Sequence, residues 1–260
     1  MAGLSQDFSQ ELGSRWRRHI KGAGSLERTG ATLHFVNLGT SSDEYTNAQI
    51  DDYQGRPRRQ FPWHPPLKLT VRARFSHGEG RLSGTAGFGF WNDPFLMTER
   101  RLPTLPRAVW FFYASPPSDM TLDVDTAGRG WKAATIDALR PAALLLTPVA
   151  LPAIALMNLR PLYRAKLPSI QQTLNGQESL VGASMTDWHT YSIDWGVERT
   201  TFCVDGDAVL ENAPSPRGPL GFVMWLDNQY MIVKPWGRFG WGVMEEPTCQ
   251  WLEVDRLAVE

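Results

Sequence analysis

The sequence predicts an all-β protein built as a sandwich of two antiparallel sheets. Short segments of alternating apolar and polar residues recur along the chain, and turns rich in glycine, proline, asparagine and aspartate separate them. The length of 260 residues suits one large β domain, which we place over 1–260. One long apolar segment, near 138–175, interrupts the series and predicts a helical insertion.

Three stretches carry the strand prediction. Residues 67–75 alternate strictly, so that leucine, valine, alanine and phenylalanine would face the core while lysine, threonine and arginine face solvent. Residues 85–91 (TAGFGFW) predict a strand whose glycines let another group approach the backbone closely. The aromatic run 107–114 (RAVWFFYA) predicts a buried strand. Further strands are predicted at 31–38, 133–136, 189–195, 200–204, 220–226 and 251–259.

The segments between these strands show weaker patterns. Residues 1–30 are polar and predict a loosely ordered N-terminal segment, while 39–66 and 227–249 read as loops. Residues 142–157 are apolar except for Thr147, and Pro148 and Pro152 divide them, which favours two short helices over one. This insertion could pack as a plain helical element, cover a cleft, or contact a membrane or a protein partner.

Composition excludes several classes of function. The formal net charge is −1, from 26 basic and 27 acidic residues, so no basic surface for nucleic acid is expected. The N-terminus lacks the apolar region of a signal peptide, which predicts a cytoplasmic location, and no transmembrane segment is expected. Cys203 and Cys249 could form one disulfide or none, and neither has metal-ligand spacing.

An acidic segment follows the aromatic run. From residue 119 the chain alternates, so that Asp119, Asp123 and Asp125 would lie on one face of a strand, with neighbours on that face about 7 Å apart. Carboxylates held this close shift one another's pKa, which both catalysis and metal binding use. The alternative is a solvated strand face. We expect no cofactor and assign no metal site, although Asp123 and Asp125 could hold a structural calcium ion.

Two late runs carry a family resemblance. Residues 188–195 (WHTYSIDW) and 201–206 (TFCVDG) resemble a signature of the laminarinase-like β-glucanases, the family-sixteen glycoside hydrolases of the concanavalin A-like lectin/glucanase superfamily. The final run 251–257 is similar to that family's last strand, and 71–75 with 87–91 resemble the strand pair before its catalytic strand. The resemblance implies a jelly-roll fold and activity on β-linked glycans.

The resemblance also implies a catalytic strand with three acids, a nucleophile, an assisting aspartate and an acid/base. Two registers fit this sequence. One places Thr121, Asp123 and Asp125 on the three positions, and the other places Asp119, Thr121 and Asp123 there. Either register lacks one acid of the pattern, so the chain is either a glycosidase with an altered motif or a non-catalytic binding module that lost the nucleophile.

The 11 tryptophans suggest a stacking surface for sugar rings, with a few polar groups to orient them. We expect a cleft on a concave sheet, floored by the 119–125 strand. Its predicted binding residues are Trp91, Asn92, Trp110, Trp131, Trp225, Asp227, Asn228 and Trp236. The expected partner is a glycan or another small ligand; a hydrophobic ligand, a membrane or a protein held through 142–157 is the third alternative.

Overall fold

The computed structural model describes residues 3–94, 104–120, 126–138, 176–234 and 238–260. Within these ranges the chain is almost entirely β-structure, with a single turn of 3-10 helix at Arg58–Gln60. The predicted insertion at 138–175 lies outside the described residues apart from Ala138, and so do Thr147, Pro148 and Pro152.

Eighteen strands are numbered here in chain order. They are β1 (Leu4–Gln6), β2 (Arg17–Lys21), β3 (Gly24–Thr29), β4 (Thr32–Thr40), β5 (Asn47–Asp51), β6 (Leu67–Phe75), β7 (Thr85–Trp91), β8 (Arg107–Ala114), β9 (Asp119–Met120), β10 (Gly130–Asp137), β11 (Gln177–Leu180), β12 (His189–Trp195), β13 (Arg199–Val204), β14 (Asp207–Pro214), β15 (Gly221–Asp227), β16 (Gln229–Lys234), β17 (Arg238–Val243) and β18 (Glu246–Val259).

Two large antiparallel sheets contain most of these strands. The eight-stranded sheet has the order β14-β13-β12-β6-β18-β4-β3, with β1 paired to β18, and the seven-stranded sheet has the order β11-β10-β8-β7-β15-β5-β2. Neighbours in these sheets are mostly distant in sequence, as they are in a jelly-roll sandwich. The predicted fold class is therefore confirmed. A small third sheet, β17-β16-β9, lies apart from the other two.

The core lies between the two large sheets. Alternate residues of each strand fill it, as β6 illustrates: its five apolar residues are buried while the four polar ones between them are at least partly exposed. Phe88 and Phe111 of the seven-stranded sheet meet Tyr191 of the eight-stranded sheet at ring-centroid distances of 5.3 and 5.1 Å. Full burial of each such ring stabilises the fold by roughly 1.5–3 kcal/mol.

The N-terminal prediction was wrong. Residues 3–30 are ordered: they include β1, β2 and β3, and Phe8 and Trp16 belong to the main core. Trp16 packs edge-on against Phe222 at 5.4 Å. These strands are short and lie on the borders of the sheets, where one side faces solvent, so their apolar alternation is too brief to identify from sequence.

Two predicted loops also contain strands. Residues 39–66 include β5, all five residues of which are buried, and residues 227–249 include the hairpin of β16 and β17. Cys203 and Cys249 are both free thiols. Within the described ranges the structure contains no helix with the length and apolar composition that a membrane crossing requires.

Candidate binding site on the seven-stranded sheet

The outer face of the seven-stranded sheet, away from the core, is assembled by the pairing register of four central strands. Each row across the sheet contains one residue from β15, β7, β8 and β10 in that order. The four rows are Gly221–Trp91–Ala108–Ile136, Val223–Gly89–Trp110–Ala134, Trp225–Gly87–Phe112–Lys132 and Asp227–Thr85–Ala114–Gly130.

Four large rings dominate this face, and we call Trp91, Trp110, Phe112 and Trp225 the aromatic patch. The indoles of Trp91 and Trp225 are nearly parallel, at 8° with centroids 6.4 Å apart. Trp110 lies 5.8 Å from Trp91 and 5.5 Å from Trp225, and Phe112 stacks on Trp110 at 5.3 Å. The patch is thus a continuous aromatic surface across three strands.

The glycines of β7 make room for these rings. A Cβ at Gly87 would lie 3.0 Å from Cη2 of Trp225, and one at Gly89 would lie 2.6 Å from Cα of Trp110. Gly89 also has a φ of +152°, which residues with a side chain rarely adopt. The close approach predicted for this glycine-rich strand is therefore confirmed, and the approaching groups belong to the aromatic patch and to β8.

The members of the patch differ in what they can offer a ligand. Trp91 and Trp225 are each 7% exposed, whereas Trp110 and Phe112 are half-buried. Trp91 Nε1 donates to the Tyr53 hydroxyl and Trp225 Nε1 to Thr85 Oγ1, both at 2.9 Å. Among the described residues none accepts a hydrogen bond from Trp110 Nε1. Trp110 therefore combines an accessible ring with an available N–H donor.

Asp227 closes the patch at one end of β15. Its Oδ1 accepts hydrogen bonds from Thr85 Oγ1 at 2.7 Å, from the Thr85 amide at 3.2 Å and from the Gln229 amide at 3.1 Å. Burial raises the pKa of Asp227 to about 6, and the hydrogen bonds from Thr85 and Gln229 oppose that rise. The carboxyl group is thus held in place beneath the surface, adjacent to Trp225.

The two predicted asparagines brace the backbone. Asn92 Nδ2 donates to the Leu105 carbonyl at 3.0 Å and its Oδ1 accepts from the Arg107 amide at 2.9 Å. Asn228 Oδ1 accepts from the Thr46 amide at 2.9 Å, and its Nδ2 donates to the Glu44 carbonyl at 3.0 Å. Both amide groups hold the ends of strands β7 and β15, so their role in the structure is to fix the sheet that carries the patch.

Lys132 lies on the same face, next to Phe112, and is buried. Its Nζ donates to Glu178 Oε2 at 2.7 Å, to the Ala127 carbonyl at 3.0 Å and to the Met120 carbonyl at 3.2 Å. All three of its donors are therefore used. The ion pair with Glu178 joins β10 to β11. The other two hydrogen bonds of Lys132 hold the carbonyl groups of Met120 and Ala127 close to β10.

The prediction for Trp131 was wrong. Its side chain is 0% exposed in the core, edge-on to Tyr191 at 5.5 Å and to Phe75 at 5.2 Å. Successive residues of β10 point to opposite faces, and Lys132 takes the outward position. Trp236 lies outside the described residues, so its predicted role in binding stays a prediction.

Of the predicted cleft floor, 119–125, the structure describes only Asp119 and Met120. Asp119 and Met120 form β9, which pairs in parallel with β16 in the small sheet rather than with the seven-stranded sheet. Asp123 and Asp125, with Thr121, lie outside the described residues, and their catalytic role stays a prediction. Among the described residues no group of three His, Cys, Asp or Glu side chains could hold a metal ion, and calcium binding likewise stays a prediction.

The strand that follows β7 both in the chain and in the sheet is β8. Its outward positions are occupied by Ala108, Trp110 and Phe112, and no carboxylate stands among them. This arrangement could not be predicted from the sequence because β8 is apolar on both faces. Its residues therefore show no alternation that would indicate which side chains face outward. The strand paired with β7 at the centre of this sheet thus carries apolar and aromatic side chains on its outer face.

Comparison with known proteins supports the fold. No family model and no curated protein matches this sequence. Among solved structures, the kappa-carrageenase from Pseudoalteromonas carrageenovora, in complex with an oligotetrasaccharide of kappa-carrageenan, has a TM-score of 0.56 and 12% identity, covering 98% of this chain and 92% of that chain. A prokaryotic beta-1,3-1,4-glucanase from a mouse hindgut metagenome has a TM-score of 0.51 and 13% identity, covering 100% and 99%.

A third similar structure comes from work on endo-acting O-glycanases of the human gut microbiota, with a TM-score of 0.53 and 11% identity over 98% of this chain and 97% of that chain. The fold that the resemblance to glycoside hydrolases predicted is therefore confirmed. Sequence identity this low establishes the scaffold, while activity must be argued from the residues of the site.

Proposed function

We propose that this chain is a binding protein that uses the scaffold of glycan-cleaving enzymes to hold a β-linked glycan on the aromatic patch, without hydrolysing it there. The observation that carries the proposal is that the outward positions of β8 are occupied by Ala108, Trp110 and Phe112 and by no carboxylate. Glycoside hydrolysis ordinarily needs a pair of carboxyl groups on either side of the scissile bond, about 5–9.5 Å apart. The centre of this face offers stacking instead.

The aromatic patch suits a sugar ring in two respects. A flat indole provides a large apolar contact for the C–H face of a pyranose, and the free N–H of Trp110 can donate to a hydroxyl. Trp91 and Trp225 contact the ring of Trp110, and their own N–H groups already donate within the protein. The named ligand of the similar kappa-carrageenase, an oligotetrasaccharide, supports a glycan as the ligand class here.

The proposal is tested by titrating oligosaccharides of beta-1,3-1,4-glucan and of kappa-carrageenan into the protein and measuring the dissociation constant by calorimetry. Trp110→Ala should weaken binding about tenfold or more, because loss of a stacking ring costs on the order of 1–3 kcal/mol and 1.4 kcal/mol is a factor of ten. The matched control is Trp188→Ala, since Trp188 stacks on Arg72 at 4.7 Å, away from the patch.

Two outcomes would contradict the proposal. Equal affinity in wild type and Trp110→Ala would place the ligand elsewhere. Release of shorter oligosaccharides by the wild type, abolished in Asp123→Asn, would favour the hydrolase alternative with Asp119, Asp123 or Asp125 as its acid and base. Binding that persists in Asp123→Asn without any product supports the binding module.

An apolar ligand is the second candidate. The residues around the rings, Ala108, Ala134, Ile136 and Val223, are themselves apolar, and Lys132 and Asp227 are engaged within the protein. Titration with a fluorescent fatty-acid analogue distinguishes the two candidates. Saturable binding of that probe, sensitive to Trp110→Ala and unaffected by the oligosaccharides, would favour the apolar ligand.

A further inference from the structure

We infer that Thr85 is a positioning residue for the aromatic patch: its hydroxyl couples the ring of Trp225 to the protonation state of Asp227, so that ligand binding becomes linked to pH. This inference rests on the proposed function for its binding consequence, while the coupling itself can be measured without any ligand.

The direction of each hydrogen bond follows from the chemistry of the groups. An indole nitrogen can only donate, so Trp225 Nε1 donates to Thr85 Oγ1 at 2.9 Å. The single proton of the hydroxyl is then free to point at Asp227 Oδ1, 2.7 Å away. The three side chains therefore form one chain of donors, from Trp225 through Thr85 to Asp227.

The register of the sheet makes this chain compact. Asp227 and Thr85 are direct partners across β15 and β7, and Trp225 lies two residues before Asp227 on the same face. The glycine opposite Trp225, Gly87, leaves the indole free to lie across β7 toward Thr85. The orientation of Trp225 relative to Trp91 is thus determined in part by its hydrogen bond to Thr85, which in turn donates to the Asp227 carboxyl group.

Most of the groups around the Asp227 carboxyl group are neutral. Tyr45 is the titratable group facing it, and burial, with the charge of Asp227 as a second cause, raises the pKa of this phenol well above its usual value. Lys21 of β2 lies beyond Asn47 and is exposed. The other groups that adjoin Asp227 are Asn47 from β5, Thr85 from β7 and Gln229 from β16.

No cation among the residues that the structure describes adjoins Asp227, which fits its raised pKa of about 6. Above that pH the ionised carboxylate strengthens the hydrogen bond from Thr85, because charge-assisted hydrogen bonds are about twice as strong as neutral ones. Below it, the protonated group holds Thr85 less firmly, and Trp225 loses part of its support. Ligand affinity should therefore be higher above pH 6 than below it.

Nuclear magnetic resonance of the indole N–H groups tests the coupling directly. The Trp225 resonance is identified by its loss in Trp225→Phe, and its shift is followed from pH 4.5 to 8. We expect a midpoint near pH 6, as for Asp227, in wild type and in Thr85→Ser, which keeps the hydroxyl. In Thr85→Val, which keeps the shape, the resonance should no longer titrate.

A matched control is Thr201→Val, since Thr201 lies on β13 of the opposite sheet; it should leave the titration unchanged. A Trp225 resonance that titrates equally in Thr85→Val, or that does not titrate in wild type, would overturn the inference. For an oligosaccharide that binds, affinity should fall about fivefold between pH 7 and pH 5 in wild type, within the usual range of coupling between sites, and stay constant in Thr85→Val. If no oligosaccharide binds, the proposed function fails while the resonance measurement still decides the coupling.

Discussion

The outer faces of the two large sheets use tryptophan in opposite ways. On the eight-stranded sheet, Trp188 stacks on the guanidinium groups of Arg72 and Arg74 at 4.7 and 5.0 Å, and Trp251 lies 5.5 Å from Arg74. These rings are half-buried beneath charged groups that remain in contact with water. On the seven-stranded sheet the rings stack on one another, and the central position of β8 is a tryptophan rather than a charge.

Ion pairs show the same contrast. Arg74 and Arg72 pair with Glu253 and Asp255 on the eight-stranded sheet, where the arginines are about two-fifths exposed. Lys132 and Glu178 on the seven-stranded sheet are almost completely buried. A solvated face tolerates the loss of a charge, whereas a face closed by aromatic rings does not. The difference indicates that the outer face of the seven-stranded sheet excludes more water than that of the eight-stranded sheet.

The largest expected effect comes from breaking the buried ion pair. Lys132→Met should lower the free energy of unfolding by about 3–5 kcal/mol, because it removes a buried cation that pairs with Glu178 and donates to the Met120 and Ala127 carbonyl groups. Arg72→Met, its counterpart on the eight-stranded sheet, should cost at most about 1 kcal/mol. Urea denaturation of both variants measures the difference. Equal losses would show that the two faces are solvated alike.

A smaller effect should follow from adding a methyl group beneath the aromatic patch. Gly89→Ala forces a side chain into a backbone with φ +152° and places Cβ against the Val109 carbonyl oxygen. Together, backbone strain and overpacking should lower the free energy of unfolding by about 1–3 kcal/mol. Gly182→Ala is the matched control, since a Cβ there has no neighbour within 4 Å. Thermal unfolding should show a clear loss for the first variant alone.

The sequence predicted the scaffold well because the alternation or the apolar run of each central strand can be recognised within that strand alone. Residues 67–75, 85–91 and 107–114 match β6, β7 and β8 in both bounds. The site was predicted less well, because which face a residue occupies depends on the partner strand. Trp110 and Trp131 both belong to strands that are apolar or buried on two faces. Only the pairing with neighbouring strands determines that Trp110 lies on the outer face and Trp131 in the core.

The acidic segment illustrates the same limit. Alternation from Asp119 predicted an extended chain over 119–125, of which Asp119–Met120 is β9 and the rest lies outside the described residues. Alternation does not indicate which strand lies beside it. The pairing of β9 with β16 depends on residues more than a hundred positions later. Position within a sheet is a property of the whole fold, so a motif read along one strand can be assigned to the wrong sheet.

The two sheets should also differ in how their acids respond to pH. Burial raises the pKa of Asp52, which accepts hydrogen bonds from Trp63 Nε1 and the Phe222 amide, from 3.8 to about 6. On the eight-stranded sheet, hydrogen bonds from the Thr190 amide and His189 lower the pKa of Asp205 below 3.8. An acid with a raised pKa binds its proton more tightly in the folded state, so its contribution to stability falls as pH rises from about 4 to 6.

Asp205 has the opposite sign, because its contribution is present above pH 3.8 and is lost as pH falls through its lowered value. Wild-type stability should therefore decline between pH 4 and 6 by at most roughly 1–3 kcal/mol because of Asp52, and Asp52→Asn should not show this decline. Asp205→Asn should remove a smaller loss of stability that occurs as pH falls below 4; the effect is smaller because Asp205 is exposed. Unfolding midpoints measured from pH 3 to 7 for both variants check the signs, and parallel curves would mean that the two acids have similar environments.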